Sequence, residues 1–174
     1  MNRKILLGVT GSIAAYKAVE LVRLFVKNGD RVQVVMTEAA TKFVTPLTFQ
    51  TLSRNPVFVD AFAPVTAWKP EHVSLAEAAD VALVAPATAN TLAKMRYGLA
   101  DNLLTETLLA TRAPVFVAPA MNTGMWEASA SQENLAVLKA RGVTVITPGS
   151  GELACGVTGM GRMAEPKQIF EQVK

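Results

Sequence analysis

Lys4-Ile5-Leu6-Leu7-Gly8-Val9-Thr10-Gly11-Ser12-Ile13 decides the fold. A short apolar run with no polar alternation ends in a small, hydroxyl-bearing turn. From Ile13 to Lys27 the apolar residues Ala15, Val19, Val22 and Val26 then recur at helical spacing. Asn28-Gly29 closes that helix as a C-cap, and Arg31–Met36 opens a second strand. The same unit recurs along the chain. The spacing predicts helices over Glu38–Val44 and Pro46–Leu52, split at Pro46, and a short strand at Val57–Val59. A helix over Val73–Ala79 then leads to the strand Val81–Ala85. Helices follow over Thr91–Tyr97 and Asp101–Thr111, then the strand Pro114–Ala118. A helical region reaches Arg141, and Val143–Thr147 reads as a strand. Pro166–Val173 closes the chain as a helix.

Strands alternating with helices imply right-handed crossovers and a parallel sheet covered on both faces. Val81-Ala82-Leu83-Val84-Ala85 is apolar throughout, as a strand buried on both sides requires. The expected architecture is a three-layer, Rossmann-like (flavodoxin-like) α/β domain spanning residues 1–174. Ligands of such sheets bind beyond the carboxyl ends of the strands. Attention therefore falls on residues 10–13, 36–38, 85–91, 118–125 and 148–165.

Composition narrows the class. The chain has 174 residues, 51% apolar and 18% charged, where about 25% charged is usual. Intrinsic disorder is excluded, since it needs low hydrophobicity and high charge. So little charge over so much apolar bulk implies an oligomer interface or a large apolar pocket. Seventeen Lys and Arg against 14 Asp and Glu leave a net charge of +3, scattered without a basic tract, so no nucleic-acid partner is expected. One cysteine cannot form an intramolecular disulfide, which suits a reducing, cytoplasmic setting. The N-terminal apolar run meets Gly8 too soon for a signal peptide, and nothing reaches the roughly 18 apolar residues of a membrane span. One His and one Cys are too few for a classical zinc site, so no metal is expected.

Several loops carry chemistry. Gly8-Val9-Thr10-Gly11-Ser12-Ile13 can aim backbone amides and a hydroxyl at an anion. It matches neither the dinucleotide fingerprint nor a Walker A loop, and tight packing explains it equally well. Pro86-Ala87-Thr88-Ala89-Asn90-Thr91 sets two hydroxyls and an amide among small residues that let a planar ring approach the backbone. Helix capping by Thr88 or Asn90 is the competing reading. Pro119-Ala120-Met121-Asn122-Thr123-Gly124-Met125-Trp126 places a polar amide between methionines at a strand end, with capping by Asn122 again the alternative. Residues 148–165 form a glycine-rich strip holding the sole thiol, Cys155. Most lone cysteines are inert core residues, but one among glycines in a long loop is placed to move. His72 ends an irregular stretch, 53–72, with prolines at 56, 64 and 70, and is expected just before a helix. A lone histidine is more often surface decoration than catalyst.

The conjunction is more telling than any single loop. Gly11-Ser12-Ile13-Ala14-Ala15-Tyr16-Lys17, His72, the Pro86–Thr91 loop, the Pro-Ala-Met-Asn-x-x-Met-Trp segment and Ala-Cys-Gly-x-x-Gly-x-Gly-Arg stand in order along the chain. Together they resemble the homo-oligomeric flavin-containing cysteine decarboxylases, from Lys4 to about Pro166. They look most like the branch that converts 4′-phosphopantothenoylcysteine to 4′-phosphopantetheine in coenzyme A biosynthesis. The resemblance implies bound FMN. It puts Gly11, Ser12 and Ile13 at the phosphate, Thr37 within reach of the cofactor, Thr88, Ala89, Asn90 and Thr91 along the ring and ribityl chain, and Ala120 against it. Thr88 stands where the family usually has serine and keeps the hydroxyl. In the reaction so implied, the carbon bearing sulfur is oxidised to a thioaldehyde, CO₂ leaves to give an ene-thiolate, and hydride and proton are returned.

By the same resemblance His72 assists the oxidation, and Asn122, with Met125, holds the departing carboxylate. Cys155 protonates the ene-thiolate, while Ala154 and Gly159 belong to a strip that covers the substrate. Peptidyl-cysteine decarboxylases share the histidine and the Met-Asn segment but lack the Ala-Cys-Gly strip. Flavin prenyltransferases lack the histidine, asparagine and cysteine together. Non-catalytic flavin-binding regulatory subunits usually carry acidic tails that are missing here. The family's trimers further imply an active site at a subunit boundary, with His72 and Asn122 from different protomers. In many bacteria the domain so resembled is the N-terminal half of a bifunctional protein, which implies a phosphopantothenoylcysteine synthetase, fused or separate, as a partner.

Overall fold

The computed structural model describes residues 2–62, 68–152 and 158–174. Strands β1 (Lys4–Val9), β2 (Arg31–Met36), β3 (Val57–Phe58), β4 (Val81–Ala87), β5 (Val115–Pro119) and β6 (Thr144–Val145) form one sheet. Its order is β3-β2-β1-β4-β5-β6, and every pairing is parallel. The chain reverses its direction of travel across the sheet between β1 and β4, so a crevice opens above their carboxyl ends.

Both sides of β1 are buried, which explains its unbroken apolar run. Ile5, Leu7 and Val9 face α1 (Ala15–Lys27), α3 (Pro46–Ser53) and α9 (Pro166–Val173), meeting Leu21, Phe25, Phe49 and Ile169. Leu6 faces the opposite layer of α4 (Glu71–Ala78), α5 (Ala89–Tyr97), α6 (Leu103–Ala110) and α8 (Ser129–Ala140), with Leu75, Leu92, Leu104 and Leu138. Position 8 shares the face of Leu6, and only glycine fits there because a β-carbon would come 2.6 Å from a Leu104 methyl. Phe25 and Phe170 meet edge to face at 5.2 Å and join α1 to α9. The short helices α2 (Glu38–Thr41) and α7 (Thr123–Glu127) follow β2 and β5 at the carboxyl rim.

Several boundaries move from those expected. The first helix begins at Ala15, because Ser12 and Ala14 are spent in a turn. Helix α2 stops at Thr41, short of Val44, and α6 is trimmed to Leu103–Ala110 by its Asn102 cap. Helix α4 starts at Glu71 directly after Pro70, so His72 lies within the helix and not before it. Helix α5 starts at Ala89, because Thr88 is its cap. The last sheet strand pairs over Thr144–Val145 alone.

The largest correction concerns residues 148–165, which are not simply an irregular strip. Strands β7 (Gly149–Glu152) and β8 (Thr158–Arg162) form an antiparallel ribbon. Ala154 and Cys155 lie outside the described residues. Among the described residues no helix is long and apolar enough to cross a membrane.

Candidate active site

The carboxyl ends of β1, β2, β4 and β5 feed turns that each lead to a helix, and all four turns contribute to the rim of one cleft of about 720 Å³. Gly11, Ser12 and Ile13 follow β1, Thr37 follows β2, Thr88, Ala89, Asn90 and Thr91 follow β4, and Ala120 follows β5. All nine residues expected at the cofactor line this cleft, and Met125 from α7 reaches it too. Such a volume suits a nucleotide-sized ligand.

Local chemistry explains each turn. The Ser12 amide donates to the Thr10 carbonyl at 2.9 Å, and Ser12 Oγ accepts from the Ala14 amide at 3.2 Å. The amides of Gly11 and Ile13 meet no protein acceptor among the described residues. Helix α1 has no acidic residue in its first turn and no side-chain cap at Ala14, so its positive end is left to an anion. Gly11 is required for close approach, since a β-carbon there would lie 2.5 Å from the Ala39 β-carbon.

Thr88 caps a helix and lines the cleft, whereas for Asn122 the structure gives the capping reading, with the cleft lined by its neighbours Ala120 and Met121. Thr88 Oγ1 accepts from the Thr91 amide at 3.3 Å and donates to Thr91 Oγ1 at 3.1 Å, capping α5. Asn122 caps α7, its Oδ1 accepting from the Gly124 amide at 2.8 Å. Thr37 likewise caps α2. Thr37 and Thr88 thus combine a helix cap with a place in the cleft lining. Buried Thr10 joins two of the turns, donating to the Pro86 carbonyl at 2.7 Å and accepting from the Thr88 amide at 3.1 Å.

The donor set therefore fits FMN. An uncapped helix end and unpaired amides suit a phosphate, while Ala89 and Ala120 leave room for a flat ring beside Asn90. Sequence reasoning missed Phe43, Lys94, Asp101 and Asn102, which also line the cleft. Asn102 could have been found as an N-cap before the apolar run Leu103-Leu104. Lys94 ion-pairs with Asp101 at 2.6 Å, where hydrogen bonding from the ammonium outweighs desolvation and holds the Asp101 carboxyl below its ordinary value.

The ribbon comes to the same rim. The Met121 amide donates to the Gly161 carbonyl at 3.0 Å, and Thr123 Oγ1 donates to the Met160 carbonyl at 2.9 Å. A β-carbon at Gly159 would collide with Thr123, so Gly159 lies against α7 and not among the residues lining the cleft. The glycine strip is thereby anchored beside Asn122.

His72 is elsewhere. It lines a second hollow, of about 300 Å³, with Phe62, Trp68, Lys69 and Glu106. That hollow and the cleft share no lining residue. Glu106 was not foreseen: its Oε2 lies 3.6 Å from His72 Nδ1.

The chain belongs to the Flavoprotein family, whose model matches residues 1–174. Along that length it is 46% identical to a probable phosphopantothenoylcysteine decarboxylase of Streptococcus mutans, covering all of this chain and 98% of the relative. It is 48% identical to the coenzyme A biosynthesis bifunctional protein CoaBC of Bacillus subtilis, over 98% of this chain. There it spans 42% of the relative, as it does for the other bifunctional relatives. Among solved structures, it superposes with a TM-score of 0.89 and 35% identity on a cysteine-to-serine mutant of PPC decarboxylase complexed with pantothenoylaminoethenethiol. That match covers 99% of this chain and 96% of the other.

Proposed function

We propose that this chain, as one domain over residues 1–174, is an FMN-dependent decarboxylase that converts 4′-phosphopantothenoylcysteine to 4′-phosphopantetheine. The observation that carries the reading is the convergence of all nine expected cofactor residues on one cleft, with the Asn122 loop and the glycine ribbon joined at its rim. When bound, FMN supplies reversible hydride acceptance from the carbon bearing sulfur. The Gly11–Ile13 turn and the α1 N-terminus hold its phosphate, and Thr37, Thr88, Ala89, Asn90, Thr91 and Ala120 hold and face the rest.

The chain's own residues do the remaining work. His72 takes a proton or orients the substrate thiol during the oxidation. Asn122, with Met125 beside it, fixes the carboxylate that departs as CO₂. Cys155 then donates the proton that completes the product, under a cover that includes Ala154 and Gly159 and excludes water.

A homo-oligomer, a trimer in this reading, completes the site. Ile13, Tyr16, Phe43, Leu47 and Met125 are large, apolar and exposed on or near the cleft elements, as are Phe62 and Trp68 at the His72 hollow. Packing protomers together covers these surfaces and brings one chain's His72 to another's cleft. The setting is cytoplasmic, and a phosphopantothenoylcysteine synthetase, fused or separate, supplies the substrate.

Mass spectrometry of the products from added 4′-phosphopantothenoylcysteine tests this directly. Net decarboxylation removes about 44 Da, whereas oxidation with decarboxylation removes about 46 Da. Wild-type protein is expected to give the first and Cys155→Ser the second. A loss of about 46 Da from the wild type would mean that only the oxidative half operates, as in a peptidyl-cysteine decarboxylase. Unchanged substrate over a flavin-bearing protein would favour a binding subunit.

A further inference from the structure

His72 and Glu106 meet from two helices that hold each other firmly. Helices α4 and α6 share the apolar layer through Leu75, Leu103 and Leu104. At the far end of α6, Thr111 Oγ1 donates to the Ala76 carbonyl at 3.1 Å. Glu106 lies in the first turn of α6, behind the Asn102–Thr105 capping box. A carboxylate there is favoured by the positive helix end. The imidazole and carboxylate are partly sheltered, at 36% and 26% side-chain exposure, and His72 Nδ1 is 3.6 Å from Glu106 Oε2. That separation is an ion-pair distance, longer than a hydrogen bond, and contacts of this kind commonly tighten when substrate is bound.

The other charged groups near the ring leave this contact unopposed. Lys69 lines the same hollow, but its ammonium is paired with Glu77 of α4. Glu71, also in the hollow, adds negative charge of the same sign as Glu106. A carboxylate at Nδ1 selects the tautomer that carries its proton there, leaving the Nε2 lone pair to act as a base or acceptor.

We infer that Glu106 is the positioning residue of His72: it fixes the ring through Nδ1 and presents Nε2 to the substrate. The catalytic consequence rests on the decarboxylase reading above, while the pairing itself does not. Helix α6 gives the arrangement its rigidity. Asn102 lines the flavin cleft and Glu106 the histidine hollow, one helical turn apart. In the oligomer proposed above, one helix with its cap thus borders two sites: the cleft of its own chain and the histidine hollow that serves a neighbour's cleft.

The chain has one histidine, so the imidazole nitrogen signals of ¹⁵N-labelled, flavin-loaded protein belong to His72 without assignment. At alkaline pH the wild type is expected to favour the Nδ1–H form. Glu106→Met should move it toward the Nε2–H form that isolated imidazoles favour, and kcat should fall about tenfold with KM little changed. Glu106→Gln keeps an acceptor atom and should fall between the two. Retained flavin absorbance confirms that each variant is folded, and if Glu106→Met loses it, Glu106→Gln decides by the same readings.

An unchanged tautomer would overturn the proposal. So would a changed tautomer with unchanged kcat, because positioning would then have no catalytic consequence. Failure of the decarboxylase reading looks different: the wild type itself would release no CO₂, and the tautomer comparison would still decide whether Glu106 sets the ring.

Discussion

Gly161 packs directly on the backbone of Met121: the Met121 amide donates to the Gly161 carbonyl at 3.0 Å, and a β-carbon at 161 would strike the Met121 carbonyl oxygen. Gly161 also has φ of +120°, which side-chain-bearing residues rarely adopt. Gly161→Ala should therefore lift the ribbon from the Asn122 loop and cost about 1–2 kcal/mol of stability. Decarboxylation should fall much further than flavin content does. Equal loss of flavin and activity in that variant would place the damage at the cleft and not at the ribbon.

Gly11 makes the corresponding close approach at the phosphate turn. Gly11→Ala would press on Ala39, forcing the turn away from α2. The purified variant should carry well below the wild type's flavin, read from visible absorbance, with far-ultraviolet circular dichroism retained. Full flavin occupancy would show that this turn is packing and nothing more.

Thr88 combines a cap with a place in the cleft. Thr88→Ala should cost about 1 kcal/mol through loss of the α5 cap and should also weaken flavin binding. Thr88→Ser, which keeps the oxygen, should restore both. Thermal denaturation and flavin titration of the two variants separate these effects.

Asp30 is expected to contribute to acid stability. Burial pushes its carboxyl up, but hydrogen bonds from Arg3 and Asn28 outweigh that and hold it below the ordinary value. Glu165 is also lowered, chiefly by its hydrogen bond from Lys17, against some desolvation. A carboxyl depressed in the folded state binds fewer protons than it does unfolded. Its contribution is present above the ordinary carboxylate range, about pH 4, and is lost as pH falls through the lower folded value. The urea midpoint should hold above that range and drop on acidification. Asp30→Asn should cost about 1.5–3 kcal/mol near neutrality by weakening the bonds from Arg3, which keeps its donation to the Val173 carbonyl, and should flatten the acid limb.

The separation of His72 from the cleft within one chain predicts complementation. His72→Asn and Asn122→Asp chains should each be inactive. Co-expressed in equal amounts, they should recover about a quarter of wild-type activity, because random assembly pairs an intact His72 with an intact Asn122 in that share of boundaries. No recovery in mixed oligomers would confine each site to one protomer.

The unbroken apolar runs of β1 and β4 were enough to read a doubly covered parallel sheet, because a strand buried on both faces has no polar position to spare. The phosphate turn and the Thr88 and Asn122 loops were legible for a related reason: small and capping residues crowd where strands give way to helices. Tertiary structure alone decided that the turns after β1, β2, β4 and β5 share a rim, since strand order depends on packing across the sheet and not on neighbours along the chain. It also decided that glycines 159 and 161 belong to a ribbon seated on the Asn122 loop, a requirement set by contacts with Thr123 and Met121 some forty residues away. Glu106 could not be found beside His72 from sequence, because 34 positions separate them and the contact exists only once α4 and α6 pack together.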